Sequence, residues 1–201
     1  SYKYALVIGS EKMSEIVNWK DRSVCVLFGD GAGAVVLKAV DNNTEDDTGV
    51  SVGHERGIID SNIYNDGSGA SVLTGGRRFS DSCSTDIFIH MDGQEVFKFA
   101  VKSVPTAIET LLHNNNMDVN DVDKFILHQA NVRIIESVAK RLKADKEKFP
   151  VNLNEYGNTS SASIPILLDE LNRNGSLKQG EKLVLAGFGA GLSWGSILLV
   201  W

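Results

Sequence analysis

Cysteine is scarce in this 201-residue sequence, and its scarcity narrows the possible chemistry. Cys25 and Cys83 are too few for a disulfide-stapled scaffold, and they lack the close spacing of metal ligands. Cys25 lies in the apolar segment 24–28, and Cys83 lies among serines. Neither precedes a predicted helix whose amino end could activate the thiol, so neither is predicted to be a nucleophile. This cysteine usage is typical of a reduced, cytoplasmic setting.

Long apolar runs and an excess of positive charge are also lacking. No stretch reaches the roughly 18 consecutive apolar residues of a membrane-spanning helix, so we predict no membrane span. The formal net charge is -6, from 26 acidic and 20 basic side chains. This balance argues against general nucleic-acid binding, which needs a basic surface. The sequence opens without methionine and runs at once into an apolar segment, so we expect it to start within a domain.

Apolar segments that alternate with helical patterns predict a layered α/β fold. Helices are predicted from Asp92 onward, over 131–143 and over 159–174. The predicted strands cover residues 4–8, 24–28, 34–40, 86–90, 124–127, 151–153, 183–186 and 196–200.

The chain divides into three predicted regions, which are 1–40, a connecting region 41–84, and 85–201. The connecting region carries an acidic run at 41–47 and scattered glycines. We therefore expect it to be a long connection with at most one or two short strands.

One histidine follows a predicted strand at a position typical of ligand sites. The segment 124–127 is short and apolar, and Asn131 can cap the helix that follows. His128 is therefore expected at the carboxyl end of a strand and beside the amino end of a helix, where open α/β sheets bind ligands. The alternative is a core histidine with both ring nitrogens satisfied.

A second polar segment, at 157–163, precedes the last predicted helix. Its glycine allows a sharp turn, Asn158 can cap a helix, and its small residues allow close packing, so a purely structural role remains open. Together with His128 the segment points to chemistry, because a neutral imidazole and a carboxamide are uncharged donors that can stabilise one oxyanion. No metal site is predicted, since the other three histidines lie on unrelated segments.

Two glycine motifs match known sites on paper but lack their structural context. Residues 29–34 match the dinucleotide fingerprint, which needs a helix next, whereas residues 35–37 predict a strand. Residues 191–195 match the nucleophile elbow of serine hydrolases, but Ser193 leads into a strand and no histidine follows it. We therefore predict neither site. Tight packing and backbone turning explain the glycines at 29–33 better.

Basic side chains cluster on two of the predicted helices. Arg133 and Lys140 share a face of the helix after His128, with Arg141 adjacent, and Lys98 lies on the earlier helix. A solvated surface is one explanation for this cluster. Docking of an anionic ligand or partner beside His128 is the other.

Four motifs, in this order along the chain, resemble the β-ketoacyl-acyl carrier protein synthase III family. They are Phe-Gly-Asp-Gly-Ala-Gly-Ala at 28–34, His-Gln-Ala-Asn at 128–131, Gly-Asn-Thr-Ser-Ser-Ala-Ser at 157–163 and Gly-Phe-Gly-Ala-Gly-Leu-Ser-Trp-Gly at 187–195. The segment 91–97 is also similar to that family's stretch leading into the pantetheine tunnel. The resemblance implies an α/β thiolase-like layered fold that is incomplete. Residues 1–40 would be the end of its amino-terminal half, and residues 85–201 the carboxyl-terminal half.

The resemblance also implies a reaction and a set of site residues. In that family an acyl group, usually acetyl, passes from coenzyme A to a cysteine, and malonyl-acyl carrier protein then loses CO2 and attacks the thioester. His128 and Asn158 match the catalytic pair that holds the enolate oxygen, and the backbone N–H of Ala190 matches a second oxyanion hole. The positions matching coenzyme A and pantetheine contacts are Gly93, Phe97, Ala130, Asn131 and Phe188. Those matching the acyl-carrier-protein docking patch are Lys98, Arg133, Lys140 and Arg141.

The implied ligands and partners follow from the same resemblance. Coenzyme A thioester enters as a substrate and no further cofactor is implied. The partners would be acyl-CoA, malonyl-acyl carrier protein and, for the complete enzyme, a second copy in a homodimer.

One departure from the family pattern is expected to limit activity. The family's nucleophilic cysteine lies in a segment upstream of the strand that begins this chain, and neither Cys25 nor Cys83 matches it. We therefore expect a missing amino-terminal half, exposed apolar surface that this half would cover, and no condensation by the isolated chain. Two other functions stay open. They are a related acyl-CoA condensing enzyme of polyketide or alkylquinolone type and a non-catalytic thiolase-fold subunit that binds the carrier protein.

Overall fold

A four-stranded sheet forms the centre of the computed structural model, which describes residues 2–40, 56–75 and 87–201. Its strands, in spatial order, are β3 (Gly57–Asn65), β8 (Ser193–Val200), β7 (Lys182–Gly189) and β6 (Lys124–Leu127). Strands β6 and β7 are parallel, and the other neighbours are antiparallel.

Two smaller sheets accompany the central one. A separate antiparallel ribbon pairs β1 (Tyr4–Glu11) with β2 (Gly31–Lys38). A two-residue pairing joins β4 (Leu73–Thr74) to β5 (His90–Met91).

Four α-helices are present in the described residues, and two of them begin directly after a side chain that caps them. They are α1 (Gly93–Asn114), α2 (Val132–Leu142), α3 (Leu153–Tyr156) and α4 (Ser163–Arg173). The Asp92 carboxylate accepts hydrogen bonds from the first turn of α1, and the Asn131 side chain accepts one from the backbone of α2. The prediction that Asp92 and Asn131 open helices is therefore confirmed. The helix predicted over 159–174 is a 3-10 turn at Ser160–Ala162 followed by α4.

Helices pack on both faces of the central sheet. Successive side chains of β6 point to opposite faces and contact different helices on each. Phe125 and Leu127 pack into the cluster formed with α1 and α2. Ile126, between them, packs on the opposite face against Leu167 and Leu171 of α4. The result is a layered α/β arrangement, as predicted.

Helix α4 and the turn before it also pack against the β1–β2 ribbon at very close range. A Cβ added at Gly9 would lie 2.5 Å from the carbonyl oxygen of Ser161. One added at Gly33 would lie 2.9 Å from Cβ of Pro165. The glycines at 29–33 thus serve close packing, and the residues after them form β2 rather than a helix, so this prediction is confirmed.

Three predicted strands are wrong or misplaced. Residues 24–27 form turns, because the Val24 and Cys25 amides donate to the carbonyl of Asp21 instead of to a neighbouring strand, and Phe28 forms an isolated bridge with Asn158. Residues 151–153 are not a strand, since Asn152 begins the helical turn α3. The strand predicted at 86–90 is reduced to β5, and Asp86 lies outside the described residues.

The connecting region contributes more regular structure than expected. Strand β3 is nine residues long and pairs with β8 along its length. Strand β3 is missed in the sequence because the polar Asn62 interrupts the apolar alternation by which a strand is recognised. The Asn62 amide oxygen accepts from the backbone N–H of Ser196, and its NH2 donates to the carbonyl of Ala107. The acidic run at 41–47 and Cys83 lie outside the described residues.

The β1–β2 ribbon presents an apolar surface to solvent. Leu6, Ile8 and Val36 are 61%, 60% and 69% exposed. The expected exposed apolar surface is therefore found on this ribbon, and its coverage by a further part of the protein stays a prediction. Within the described parts of the chain, no helix combines the length and the apolar character needed to cross a bilayer.

Replacing Gly9 by alanine should destabilise the protein. The new methyl group would meet backbone atoms of Ser161 and Ala162 that cannot rotate away, and such overpacking costs about 1–3 kcal/mol. The measurement is the urea-unfolding midpoint. Gly67→Ala is the matched control, because its added Cβ meets nothing within 4 Å. Equal midpoints for the two variants would contradict the close packing.

Candidate active site

A cavity of about 370 Å³ lies where several segments of the chain meet. Its wall is formed by the amino-terminal segment, the start of α1, the loop after β6, the polar segment before α4 and the turn between β7 and β8. Apolar side chains dominate this wall, among them Leu27, Phe28, Phe97 and Phe188. Polar groups are few, which is the usual composition of a site that binds an organic ligand.

His128 lies at the carboxyl end of β6, as predicted. Its backbone N–H donates to the carbonyl of Ala186 in β7, and this bond extends the parallel pairing by one residue. The imidazole packs edge-on against Phe188, with ring centroids 5.3 Å apart. Its Nδ1 lies 2.6 Å from Oγ of Ser163. Among the described residues no partner is found for Nε2, so the alternative of a histidine satisfied at both nitrogens is not what the structure shows.

Asn158 reaches the same cavity from a different part of the chain. Its backbone pairs with the amino-terminal segment, because its N–H donates to Leu27 and its carbonyl accepts from Gly29. Gly157, at φ +67, supplies the sharp turn before it. The side-chain oxygen of Asn158 accepts from the backbone N–H of Ser160 at 2.9 Å. The amide is therefore oriented with its NH2 group as the free donor end.

Burial keeps the imidazole neutral. The protein around His128 lowers its pKa from 6.5 to about 4, because the charged form loses hydration. At pH 7 the ring therefore carries one proton and no charge. It can donate one hydrogen bond to a developing oxyanion without bringing a positive charge into an apolar cavity.

The other predicted ligand contacts surround the same space. Gly93 and Phe97 come from α1, Ala130 and Asn131 from the loop after His128, and Phe188 and Ala190 from the β7–β8 region. All six line the cavity together with His128 and Asn158. The structure thus brings the predicted site residues together, while their roles stay predictions.

The four basic residues of the predicted docking patch are exposed on α1 and α2. Arg133 lies beside the cavity wall, with its guanidinium carbon 5.9 Å from the centre of the Phe97 ring. Lys98 forms an ion pair with Glu95 at 2.7 Å, and Nη1 of Arg141 approaches the carbonyl of Val101 at 3.5 Å. The patch therefore contacts the cavity wall through Arg133, and none of its four residues lines the cavity.

Ser163 and Glu11 are among the site residues that escaped the sequence reasoning. Ser163 is a buried hydroxyl that contacts His128, and its only signal was membership of the small-residue segment. Glu11 lines the cavity and accepts hydrogen bonds from the Ser161 hydroxyl and backbone. Nothing in the local pattern of β1 marks Glu11 as a site residue.

The serine of the apparent nucleophile elbow is committed elsewhere. Ser193 begins β8, and its hydroxyl donates to the side-chain oxygen of Asn65 at 2.6 Å. This agrees with the prediction that residues 191–195 lead into a strand.

Two family models match separate parts of the chain, and individual relatives match nearly all of it. The model described as 3-oxoacyl-[acyl-carrier-protein (ACP)] synthase III matches residues 1–67. The one described as the C terminal of the same synthase matches residues 112–201. The chain is 44% identical over 206 residues to the β-ketoacyl-[acyl-carrier-protein] synthase III of Clostridium acetobutylicum, covering 100% of this chain and 59% of that protein.

Solved structures show the same fold. The 3-oxoacyl-[acyl-carrier-protein] synthase III from Aquifex aeolicus is 41% identical, with a TM-score of 0.86 over 99% of this chain and 58% of that one. A priming β-ketosynthase of a polyketide biosynthetic pathway is 34% identical, with a TM-score of 0.83 over 98% and 57%. The fold is therefore that of this synthase, and the thiolase-like prediction is confirmed. The chain spans somewhat under two thirds of the length of these relatives.

The low pKa of His128 should appear in the pH dependence of stability. The unfolded chain takes up this proton below pH 6.5, whereas the folded protein takes it up only below about pH 4. The contribution of His128 to stability is thus fully present above pH 6.5 and is lost as the pH falls from 6.5 to 4. The free energies of unfolding of wild type and of His128→Gln should therefore converge or cross as the pH falls from 6.5 to 4. A difference between them that stays constant with pH would contradict the assignment.

Proposed function

Because the chain belongs to the 3-oxoacyl-[acyl-carrier-protein] synthase III family, we propose that it carries the decarboxylation site of a condensing enzyme that initiates fatty-acid synthesis. The observation that supports this best is the convergence of two neutral donors, His128 and Asn158, on one largely apolar cavity. The proposed substrate at this site is a malonyl thioester of acyl carrier protein. An acyl-CoA, with acetyl as the expected acyl group, supplies the unit that is extended.

The proposed step is loss of CO2 from the malonyl group. The bond between the carboxylate carbon and the α-carbon breaks, and its electron pair moves into the thioester to form an enolate. Negative charge then develops on the thioester oxygen. Nε2–H of His128 and the NH2 of Asn158 would stabilise this oxygen, and losing one such donor typically raises the barrier by about 2.7–4 kcal/mol.

The surroundings of the pair suit this step. An apolar wall disfavours the malonyl carboxylate more than the neutral CO2 that leaves, and it strengthens the hydrogen bonds to the enolate. The other predicted contacts would hold the pantetheine arm, and they are Gly93, Phe97, Ala130, Asn131 and Phe188. In the same proposal the backbone N–H of Ala190 serves the second oxyanion hole.

The carrier protein would dock on the basic patch beside the cavity wall. Lys98, Arg133, Lys140 and Arg141 offer positive charge on a chain whose net charge is -6. Local complementarity of this kind steers the encounter with an acidic partner. Arg133 lies over the ring of Phe97, which lines the cavity, so a carrier bound there could deliver its thioester to His128.

Removing either donor should slow decarboxylation. His128→Ala and Asn158→Ala are each expected to lower the rate of CO2 release from malonyl-acyl carrier protein by about 10²–10³. The chain is assayed alone and together with the part of the Clostridium acetobutylicum relative that it does not match. His113→Ala and Asn154→Ala are matched controls, since both residues are exposed and neither lines the cavity.

Rates unchanged in both site variants would remove the assigned roles. Binding of the carrier protein without any CO2 release would favour the non-catalytic subunit instead. Preference for a longer or branched acyl-CoA primer would favour the second candidate, a polyketide priming synthase, to which one structural relative points.

The purified chain by itself should not condense acetyl-CoA with malonyl-acyl carrier protein. Condensation needs a cysteine that carries the acyl group at the cavity. Cys25 is half-buried and, unlike its neighbours Leu27 and Phe28, does not line the cavity. The measurement is formation of the β-ketoacyl product. Appreciable product that disappears in Cys25→Ser or Cys83→Ser would overturn this expectation.

A further inference from the structure

A buried hydroxyl contacts the ring of His128 on the side away from Nε2. Ser163 is the first residue of α4 and is 3% exposed. Its Oγ lies 2.6 Å from Nδ1 of His128 and 3.3 Å from the backbone nitrogen of Gln129. Phe188 packs against the imidazole, so the ring is held in place by both a hydrogen bond and an aromatic contact.

Proton accounting at Ser163 selects one tautomer of the histidine. The hydroxyl accepts from the N–H of Gln129, and it has a single proton of its own to donate. If Nδ1 carried the imidazole proton, the hydroxyl would accept two hydrogen bonds and its own proton would find no acceptor among the described residues. A buried donor left in this way costs about 1–3 kcal/mol. If Nδ1 is the acceptor, every one of these groups is satisfied.

We propose that Ser163 is a positioning residue that donates to Nδ1 of His128 and thereby holds the imidazole in its Nε2–H tautomer. The tautomer matters because only Nε2 is free to face the cavity. With its proton there, His128 can donate to an enolate oxygen. With the proton on Nδ1, it would present a lone pair to that oxygen and repel it. This catalytic consequence rests on the proposed function, whereas the tautomer itself does not.

The tautomer can be read directly by nuclear magnetic resonance. The chain is labelled with 15N-histidine and studied at pH 7.5 without substrate, and the His128 signals are assigned by their loss in His128→Gln. Wild type should show a single Nε2–H species. Ser163→Ala should show a substantial new Nδ1–H population, whereas Ser163→Thr, which keeps the hydroxyl, should retain the wild-type pattern.

The control variant is Ser137→Ala, which removes a hydroxyl that donates within its own helix, to the carbonyl of Arg133. It should leave the His128 signals unchanged. An Nδ1–H species in wild type would overturn the proposal whatever the variants do. A wild-type pattern preserved in folded Ser163→Ala would also overturn it.

Decarboxylation kinetics then separate this inference from the proposed function. Ser163→Ala should lower kcat by about 10–100-fold with little change in KM, which is less than the 10²–10³ expected for full loss of a donor because part of the ring keeps the productive tautomer. Ser163→Thr should restore most of kcat. If wild type releases no CO2, the proposed function fails, and the resonance spectra still decide whether Ser163 sets the tautomer.

Discussion

The contact between His128 and Ser163 joins the end of β6 to the start of α4, and the geometry of the site depends on this junction. Asn158 lies only a short segment before Ser163, so the residue that contacts the imidazole also anchors the loop that carries the carboxamide. The loop is also held from its other side, because the backbone of Asn158 forms hydrogen bonds with Leu27 and Gly29. Two donors from distant parts of the sequence are thereby held at one cavity before any ligand arrives, as preorganised stabilisation of a charge requires.

Close packing of α4 is the structural condition for this arrangement. The helix lies between the central sheet, where its Leu167 packs against Ile126, and the β1–β2 ribbon, which it approaches at Gly33. The turn before the helix approaches the same ribbon at Gly9. Any side chain at these glycines would push the ribbon away from the helix. Leu27 and Gly29, which pair with the backbone of Asn158, lie in the connection between the two strands of this ribbon. Gly9 and Gly33 therefore contribute to the geometry of the site, although neither lines the cavity.

Local sequence signals predicted the parts of the fold that are set locally. Asp92 and Asn131 mark helix starts because their side chains cap backbone N–H groups within three residues. His128 was placed correctly because a buried strand and a capped helix flank it. The signals failed where tertiary contacts decide. Residues 24–28 look like a strand but form turns up to residue 27, and Phe28 bridges to Asn158, which lies far away in the sequence. Strand β3 looks irregular in the sequence because it carries the polar Asn62, whose partners lie in α1 and β8.

The residues of the candidate site also differ in whether the sequence could predict them. His128 and Asn158 could be found from residue type and spacing, and the cavity residues from the family resemblance. Ser163 and Glu11 could not, because their importance lies in partners far away in the sequence.

The most direct test of the account is a crystal structure of the chain with a malonyl thioester analogue that cannot lose CO2. The account predicts that the thioester oxygen lies about 2.7–3.1 Å from both Nε2 of His128 and the side-chain nitrogen of Asn158. An analogue bound in the cavity with its thioester oxygen contacting neither donor would contradict it.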